Sequence, residues 1–268
     1  MTDTPSASPR LVLVTGASRG IGRAAALELA RQGNIVIAVA RSKAALQKLD
    51  DEIRAFGSEA VLVPMDLKDT KGIETLGKVI GERFGRLDGL VANAGILGTL
   101  GPVETCGPRS FEETIAVNLT SNFHLIRTLS PWMHQSDTPR AVFVTSSVAR
   151  KPRAFWGPYQ AAKAGMEALV IGWADENENM KLRANIFDPG GTRTGMRAEA
   201  MPGEDPMTLP TPEEVAAELV KLVSPSETRT GQLVTYRELA GSKNVGGASP
   251  AGRGGHDRSS PAGRSYSC

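Results

Sequence analysis

Seven short runs rich in Val, Ile, Leu and Ala are spaced along this 268-residue chain, and longer segments with helical periodicity fill the gaps between them. The runs fall at 11–15, 35–40, 60–65, 89–92, 141–145, 182–187 and 232–236. The helical segments fall at 21–32, 43–56, 70–84, 110–134, 159–177 and 212–223. The apolar runs are near-continuous rather than alternating, as expected of strands covered on both faces by helices. Strand and helix in alternation predict an α/β chain: a Rossmann-like, doubly wound parallel sheet of about seven strands in a single domain, with right-handed crossovers. Hydrophobic residues make up 40% of the chain, enough for such a core.

The domain is expected over 9–240. Residues 1–8 are polar and are expected to form a flexible N-terminus. From 241 to 268 the chain is rich in Gly, Ser, Pro and Arg and almost without aliphatic residues. Such a segment cannot bury enough apolar surface to offset its ordering entropy, so a disordered tail is expected. A net charge of +2 gives no warrant for a nucleic-acid or membrane partner. No window approaches the ~18 apolar residues of a membrane helix, and MTDTPSASPR has no apolar core of a secretory signal. Cys106 and Cys268 cannot make a disulfide framework, so reduced thiols and a cytoplasmic location are expected. His124, His134 and His256 lack ligand spacing, so no metal is expected. The Glu112–Glu113 pair reads as carboxylates complementing a helix start.

Between the first run and the first helical segment lies TGASRGIG, residues 15–22. A tight strand-to-helix turn gathers backbone N–H groups and the positive helix end at one point, which favours a pyrophosphate. Gly16, Ser18, Arg19, Gly20, Ile21 and Gly22 are the candidate residues, glycine serving where the backbone takes positive φ or approaches the ligand closely. An acid at the end of the second strand would favour NAD(H). Here the chain reads Ala40-Arg41-Ser42, and Arg19 lies in the turn itself. Two guanidinium groups suit a 2′-phosphate, so NADP(H) is preferred over NAD(H).

Two further signals carry chemistry. PYQAAK sets Tyr159 and Lys163 four apart, on one face of a helix. An ammonium beside a phenol is expected to lower its pKa toward neutrality and make it a usable acid and base. TSS ends the fifth strand with Ser146 and Ser147, where a hydroxyl could hold a carbonyl oxygen or developing alkoxide.

Taken with Asp66-Leu67, Asn93-Ala94-Gly95, Asn118 and PGGTRT at 189–194, these motifs resemble the short-chain dehydrogenase/reductase family over about residues 9–236. PGGTRTGMRAEAMPGEDP further resembles a bacterial oxidoreductase subgroup of it. The resemblance implies an oxidoreductase interconverting a carbonyl and an alcohol, with a small-molecule substrate and a homodimer or homotetramer. It implies Tyr159 as general acid and base, Lys163 as its electrostatic partner and ribose anchor, and Asn118 as holder of a relay water. It implies Asp66 and Leu67 at the adenine, Asn93, Ala94 and Gly95 along the cofactor channel, and Pro189, Gly190, Thr192 and Thr194 at the nicotinamide carboxamide. Two serines stay open. The family's common spacing, 13 residues before the tyrosine, selects Ser146, whereas the strand pattern selects Ser147, which is slightly preferred.

Met196, Met201 and Met207 lie after the sixth strand and are expected to form a substrate lid over an apolar pocket. Ala161, Ala162, Gly165, Met166, Leu169 and Trp173, on the helix carrying Tyr159, are expected to allow close helix packing between subunits. The alternative to an enzyme is a non-catalytic nucleotide-sensing protein on the same fold. It would be expected to lack at least one of Asn118, the serine, Tyr159 and Lys163.

Overall fold

All seven apolar runs pair side by side as parallel strands in a computed structural model of the chain, which describes residues 9–241. In chain order the elements are β1 (Leu11–Thr15), α1 (Gly20–Arg31), β2 (Ile35–Ala40), α2 (Lys43–Arg54), β3 (Ala60–Pro64) and α3 (Thr70–Phe84). Then come β4 (Gly89–Ala92), α4 (Pro108–Ile115), α5 (Ser121–Met133), β5 (Arg140–Val144) and α6 (Gly157–Glu176). The last are β6 (Arg183–Asp188), α7 (Gly195–Ala200), α8 (Pro212–Leu219), β7 (Leu233–Thr235) and α9 (Tyr236–Gly241). The sheet order is β3-β2-β1-β4-β5-β6-β7, and the order reverses between β1 and β4. A crevice opens at such a reversal, outside the carboxyl ends of the strands.

Alternation within each strand supplies two cores rather than one wet and one dry face. Val12 and Val14 of β1 pack with α1, α2 and α8, while Leu11 and Leu13 pack with α3, α5 and α6. Each such side chain contributes about 1.5–3 kcal/mol by burial, so both helical layers are held to the sheet by the strands' own composition. The expected fold class is therefore what forms.

Three expectations change in detail. The segment 110–134 is not one helix: α4 and α5 are joined by a π-turn, Ala116–Thr120, whose only buried member is Asn118. Short helices α7 and α9, absent from the sequence reading, follow β6 and β7. Met166 and Trp173 face the sheet core instead of a subunit contact, because they occupy the stripe of α6 that covers β5 and β6, and Ala162 is buried as well. The large apolar side chains that α4, α5 and α6 expose are Phe111, Phe123 and Ile171. Residues 1–8 and 242–268, with the flexibility and disorder expected of them, lie outside the described residues; Gly241 closes α9. Among the described residues no helix is long and apolar enough to cross a membrane, and no cluster of three metal-ligating side chains occurs.

Candidate active site

The crevice at the strand carboxyl ends is a cleft of about 300 Å³. At its base the chain leaves β1 through Gly16 (φ +67°) and Gly20 (φ +56°), the left-handed region that side chains rarely adopt. The N-terminus of α2 is capped by Ser42, and that of α3 by Asp69. The N-cap of α1, Arg19, makes no such side-chain bond, which leaves the first N–H groups of α1 for a ligand. A neighbouring strand clamps the turn: Asn93 N and Ala94 N each donate to Thr15 Oγ1 at 3.0 Å, and Asn93 Nδ2 donates to Thr15 O at 3.1 Å. Gly22 does not line the cleft. It lies behind the turn, where a Cβ would stand 2.4 Å from Gly16 O. This closely packed glycine cradle fits a dinucleotide pyrophosphate.

One end of the cleft is walled by Ala40, Arg41, Asp66, Leu67 and Lys68, with Arg19 beside them. Arg19 and Arg41 are exposed and, among the described residues, neither is ion-paired. Lys68 pairs instead with Glu113 of α4 across the mouth. That pairing gives Glu113 a place in the site that local sequence could not reveal, since 45 residues separate the partners; α4 starts at Pro108, so Glu112 and Glu113 lie in its second half and not at a helix start as expected.

At the other end Ser146, Tyr159 and Lys163 share the wall with Pro189, Gly190, Thr192 and Thr194. Extended backbone persists two residues past β5, through Ser146 (φ −155°, ψ 150°), and the chain then turns into a 3-10 helix at Ser147. Ser146 therefore reaches the cleft and hydrogen-bonds Tyr159, while Ser147 lines a shallow depression on another side. Ser146, which the 13-residue spacing to Tyr159 selects, is thus the serine on the cleft wall, and Ser147, slightly preferred from the strand pattern, is not.

The electrostatics also differ from expectation. Tyr159 and Lys163 are 7% and 3% exposed. Burial pushes the phenol up to about 12, against a lowering by the Ser146 hydrogen bond and with a smaller raising by the Asp188 charge. Burial likewise lowers the ammonium to about 8, with Glu167 opposing. In the protein alone desolvation dominates, and the phenol is held in its protonated form. Lys163 Nζ lies 5.9 Å from the Tyr159 ring centroid and donates to Val144 O at 2.7 Å.

Asn118 is fully buried behind the wall. Its Oδ1 accepts from Ile96 N at 2.9 Å and its Nδ2 donates to Ile96 O at 2.8 Å, so the π-turn fixes the loop that follows Gly95. A Cβ on Gly95 would meet Asn118 Oδ1 at 3.1 Å and Lys163 Nζ at 3.6 Å. The space those two atoms face is thus open only because residue 95 is glycine.

Beyond Tyr159 the wall is apolar. Leu97, Leu100, Val148, Trp156, Met196 and Ala200 pack around it, with Trp156 edge-on to the tyrosine ring at 5.9 Å. Met196 supplies the apolar lid surface, while Met207 points out and is exposed. Besides Lys163, this end carries the cation Arg197, and Glu204 accepts from its Nε and Nη2 at 2.5 and 2.6 Å. Leu97, Trp156 and Arg197 were not singled out from the sequence; only their place beside Tyr159 gives them a role.

Comparison with known proteins agrees with this arrangement. A family profile described as short chain dehydrogenase matches residues 10–205. The oxidoreductase YciK of Escherichia coli K12 is 39% identical over 209 residues, covering 77% of this chain and 82% of that protein. A short-chain dehydrogenase from Shigella flexneri, solved with NADP, superposes with a TM-score of 0.82 at 37% identity, over 85% of this chain and 97% of that one. Another from E. coli, solved with NADPH, gives 0.81 at 37% identity, over 85% and 96%.

Proposed function

This chain belongs to the short-chain dehydrogenase family of oxidoreductases, and on that premise we propose that it is an NADP(H)-dependent reductase of an uncharged carbonyl compound with an apolar body, with Tyr159 as proton donor. One observation carries the reading: Ser146, Tyr159 and Lys163 meet on one wall of a cleft whose far end presents two arginines that are not ion-paired among the described residues. When bound, the nicotinamide cofactor supplies a hydride in reduction and takes one up in oxidation.

The chain's own residues do the rest. The Gly16–Gly22 turn receives the pyrophosphate, Arg19 and Arg41 the 2′-phosphate, and Asp66 the adenine edge. Pro189, Gly190, Thr192 and Thr194 orient the nicotinamide end. Ser146 holds the substrate oxygen. Tyr159, protonated well above neutral pH, donates to that oxygen as the alkoxide develops. Lys163, with its pKa near 8, is mostly charged at neutral pH and passes a proton from solvent back to the Tyr159 phenolate. Asn118 holds the Ile96 backbone beside that path.

The substrate's character follows from the wall around Tyr159. The Leu97, Trp156, Met196 and Ala200 surface favours an alkyl or aryl body. Arg197 is already satisfied by Glu204, so a substrate carboxylate finds no free cation there. The solved NADP and NADPH complexes of similar chains support the cofactor choice. The exposed Phe111, Phe123 and Ile171 support the expected homodimer or homotetramer, and a cytoplasmic location belongs to the same reading.

Thermal unfolding with each nucleotide, followed by NADPH oxidation on a carbonyl panel, tests it. NADPH at a hundred times its Kd adds about 2.7 kcal/mol to native stability, and NADH at the same concentration adds less. Aryl and alkyl ketones are consumed in preference to 2-oxo acids and aldoses. An equal or larger rise with NADH, or a preference for 2-oxo acids, overturns the corresponding half.

A further inference from the structure

Two acids are buried directly behind the catalytic wall, and the mechanism above uses neither. Glu167 stands one helical turn beyond Lys163 on α6, and Asp188 is the last residue of β6; each is under one-tenth exposed. One guanidinium serves both: Arg150 places Nη1 on Glu167 and Nη2 on Asp188. Arg150 follows the 3-10 turn that leaves Ser146.

The remaining acceptor positions tie this triad to the parts that carry the site. Glu167 Oε1 accepts from Thr145 Oγ1 at 2.6 Å, next to Ser146. Asp188 Oδ1 accepts from Gly190 N at 3.0 Å, which sets the turn at the nicotinamide end. None of the three lines the cleft. Arg150 and Asp188 open instead onto the shallow depression on the other side, where Lys151 and Arg237 are the other charged residues.

We propose that Arg150 is a positioning residue for Ser146, Tyr159 and Lys163: by clamping Glu167 and Asp188 it joins the β5 turn, α6 and the β6 turn, and it fixes the charge that the phenol and ammonium meet from behind. This rests on the reading of Tyr159 and Lys163 as the catalytic pair. Two carboxylates around one guanidinium leave one net negative charge there. The groups that meet Lys163 are Tyr159 and Glu167 on its own helix, the Val144 carbonyl, and, through the clamp, Arg150 and Asp188. The charges act in the expected sense, since Asp188 raises the phenol pKa and Glu167 raises that of the ammonium.

The test is the titration of Lys163 in the full chain without nucleotide. It is followed by NMR of carbon-13-labelled lysine side chains, with Lys163→Met identifying the signal. Arg150→Met uncovers both acids and moves the Lys163 midpoint up by about one pH unit or more. Glu167→Gln leaves Arg150 and Asp188 as a neutral pair and moves it down. Arg150→Lys keeps the charge but not the fork, and stays near wild type. The alkaline limb of the turnover profile moves in the same two directions, while NADPH Kd changes less than about threefold in every variant.

A residue that only holds the fold together would lower activity without opposite shifts. If both midpoints stay at the wild-type value, or both move the same way, the proposal is wrong. Glu167→Gln and Arg150→Lys keep the test decisive should Arg150→Met fail to fold. The NMR titration needs no turnover, so loss of the catalytic reading, for instance an active Tyr159→Phe, is told apart from loss of this one.

Discussion

Replacing Gly22 with alanine adds one methyl group at the point where α1 backs onto the glycine turn. In most helix interiors that change is favourable by about 1 kcal/mol. Here the new Cβ would lie 2.3 Å from Asn93 Nδ2 and 2.4 Å from Gly16 O, each about 1 Å inside carbon contact distance. Neither neighbour yields easily. Gly16 is held at φ +67° by the turn, and Asn93 Nδ2 is bonded to Thr15 O. Overpacking of this kind costs about 1–3 kcal/mol, and loss of the Asn93 bond adds about 1 kcal/mol. The helix preference offsets about 1 kcal/mol of that sum, leaving a net destabilisation of about 1–3 kcal/mol. For a chain of this size the midpoint falls by about 2–4 °C per kcal/mol. Because the displaced atoms are those that receive the pyrophosphate, NADPH Kd rises at least about tenfold. Gly172→Ala is the control: it lies in α6, is exposed and has nothing within 4 Å of its would-be Cβ. It should gain up to about 1 kcal/mol and leave NADPH binding unchanged. Urea unfolding and nucleotide titration of the two variants measure this. A Gly22→Ala protein as stable and as tight-binding as wild type would refute the argument that the turn and helix are packed without slack.

Three other outcomes are expected. Ser146→Ala lowers kcat/KM by about tenfold or more while Ser147→Ala stays near wild type, checked by steady-state NADPH oxidation; the reverse order would restore Ser147. Arg41→Asp weakens NADPH at least about tenfold and spares NADH, since a carboxylate would replace a cation at the 2′-phosphate; equal NADPH affinity in titration would remove Arg41 from the site. Lys163 gives a stability signature, because its folded pKa, about 8, lies below the unfolded 10.5. The burial cost is present in full below pH 8 and is relieved as pH rises toward 10.5. Urea unfolding should show wild type gaining about 3 kcal/mol relative to Lys163→Met over that window; a constant difference would show that the ammonium is not desolvated.

The fold was legible because its cause is local. Most strands are near-continuous apolar runs, and Tyr159 and Lys163 share a helix face by spacing alone. What the sequence did not reveal depends on partners far along the chain. Asn118 bonds the backbone of Ile96, 22 residues away, and the π-turn that presents it interrupts what reads as one amphipathic helix. Arg150 meets acids 17 and 38 residues distant, so no window contains the triad. The serine preference weighed the strand pattern over the 13-residue spacing to Tyr159, and hydroxyl composition does not mark where extended backbone ends. The direction of the Tyr159 shift was misread for a related reason. Spacing shows that an ammonium is near, but the burial that sets the direction of the shift is a property of the packed cleft.

The most direct test of the central claim compares single-turnover NADPH oxidation by wild type and Tyr159→Phe, both saturated with NADPH and given the same apolar ketone. If Tyr159 donates the proton, the variant binds NADPH with nearly unchanged Kd and turns over about 10²–10⁴-fold more slowly. A Tyr159→Phe protein that oxidises NADPH at the wild-type rate would contradict the account.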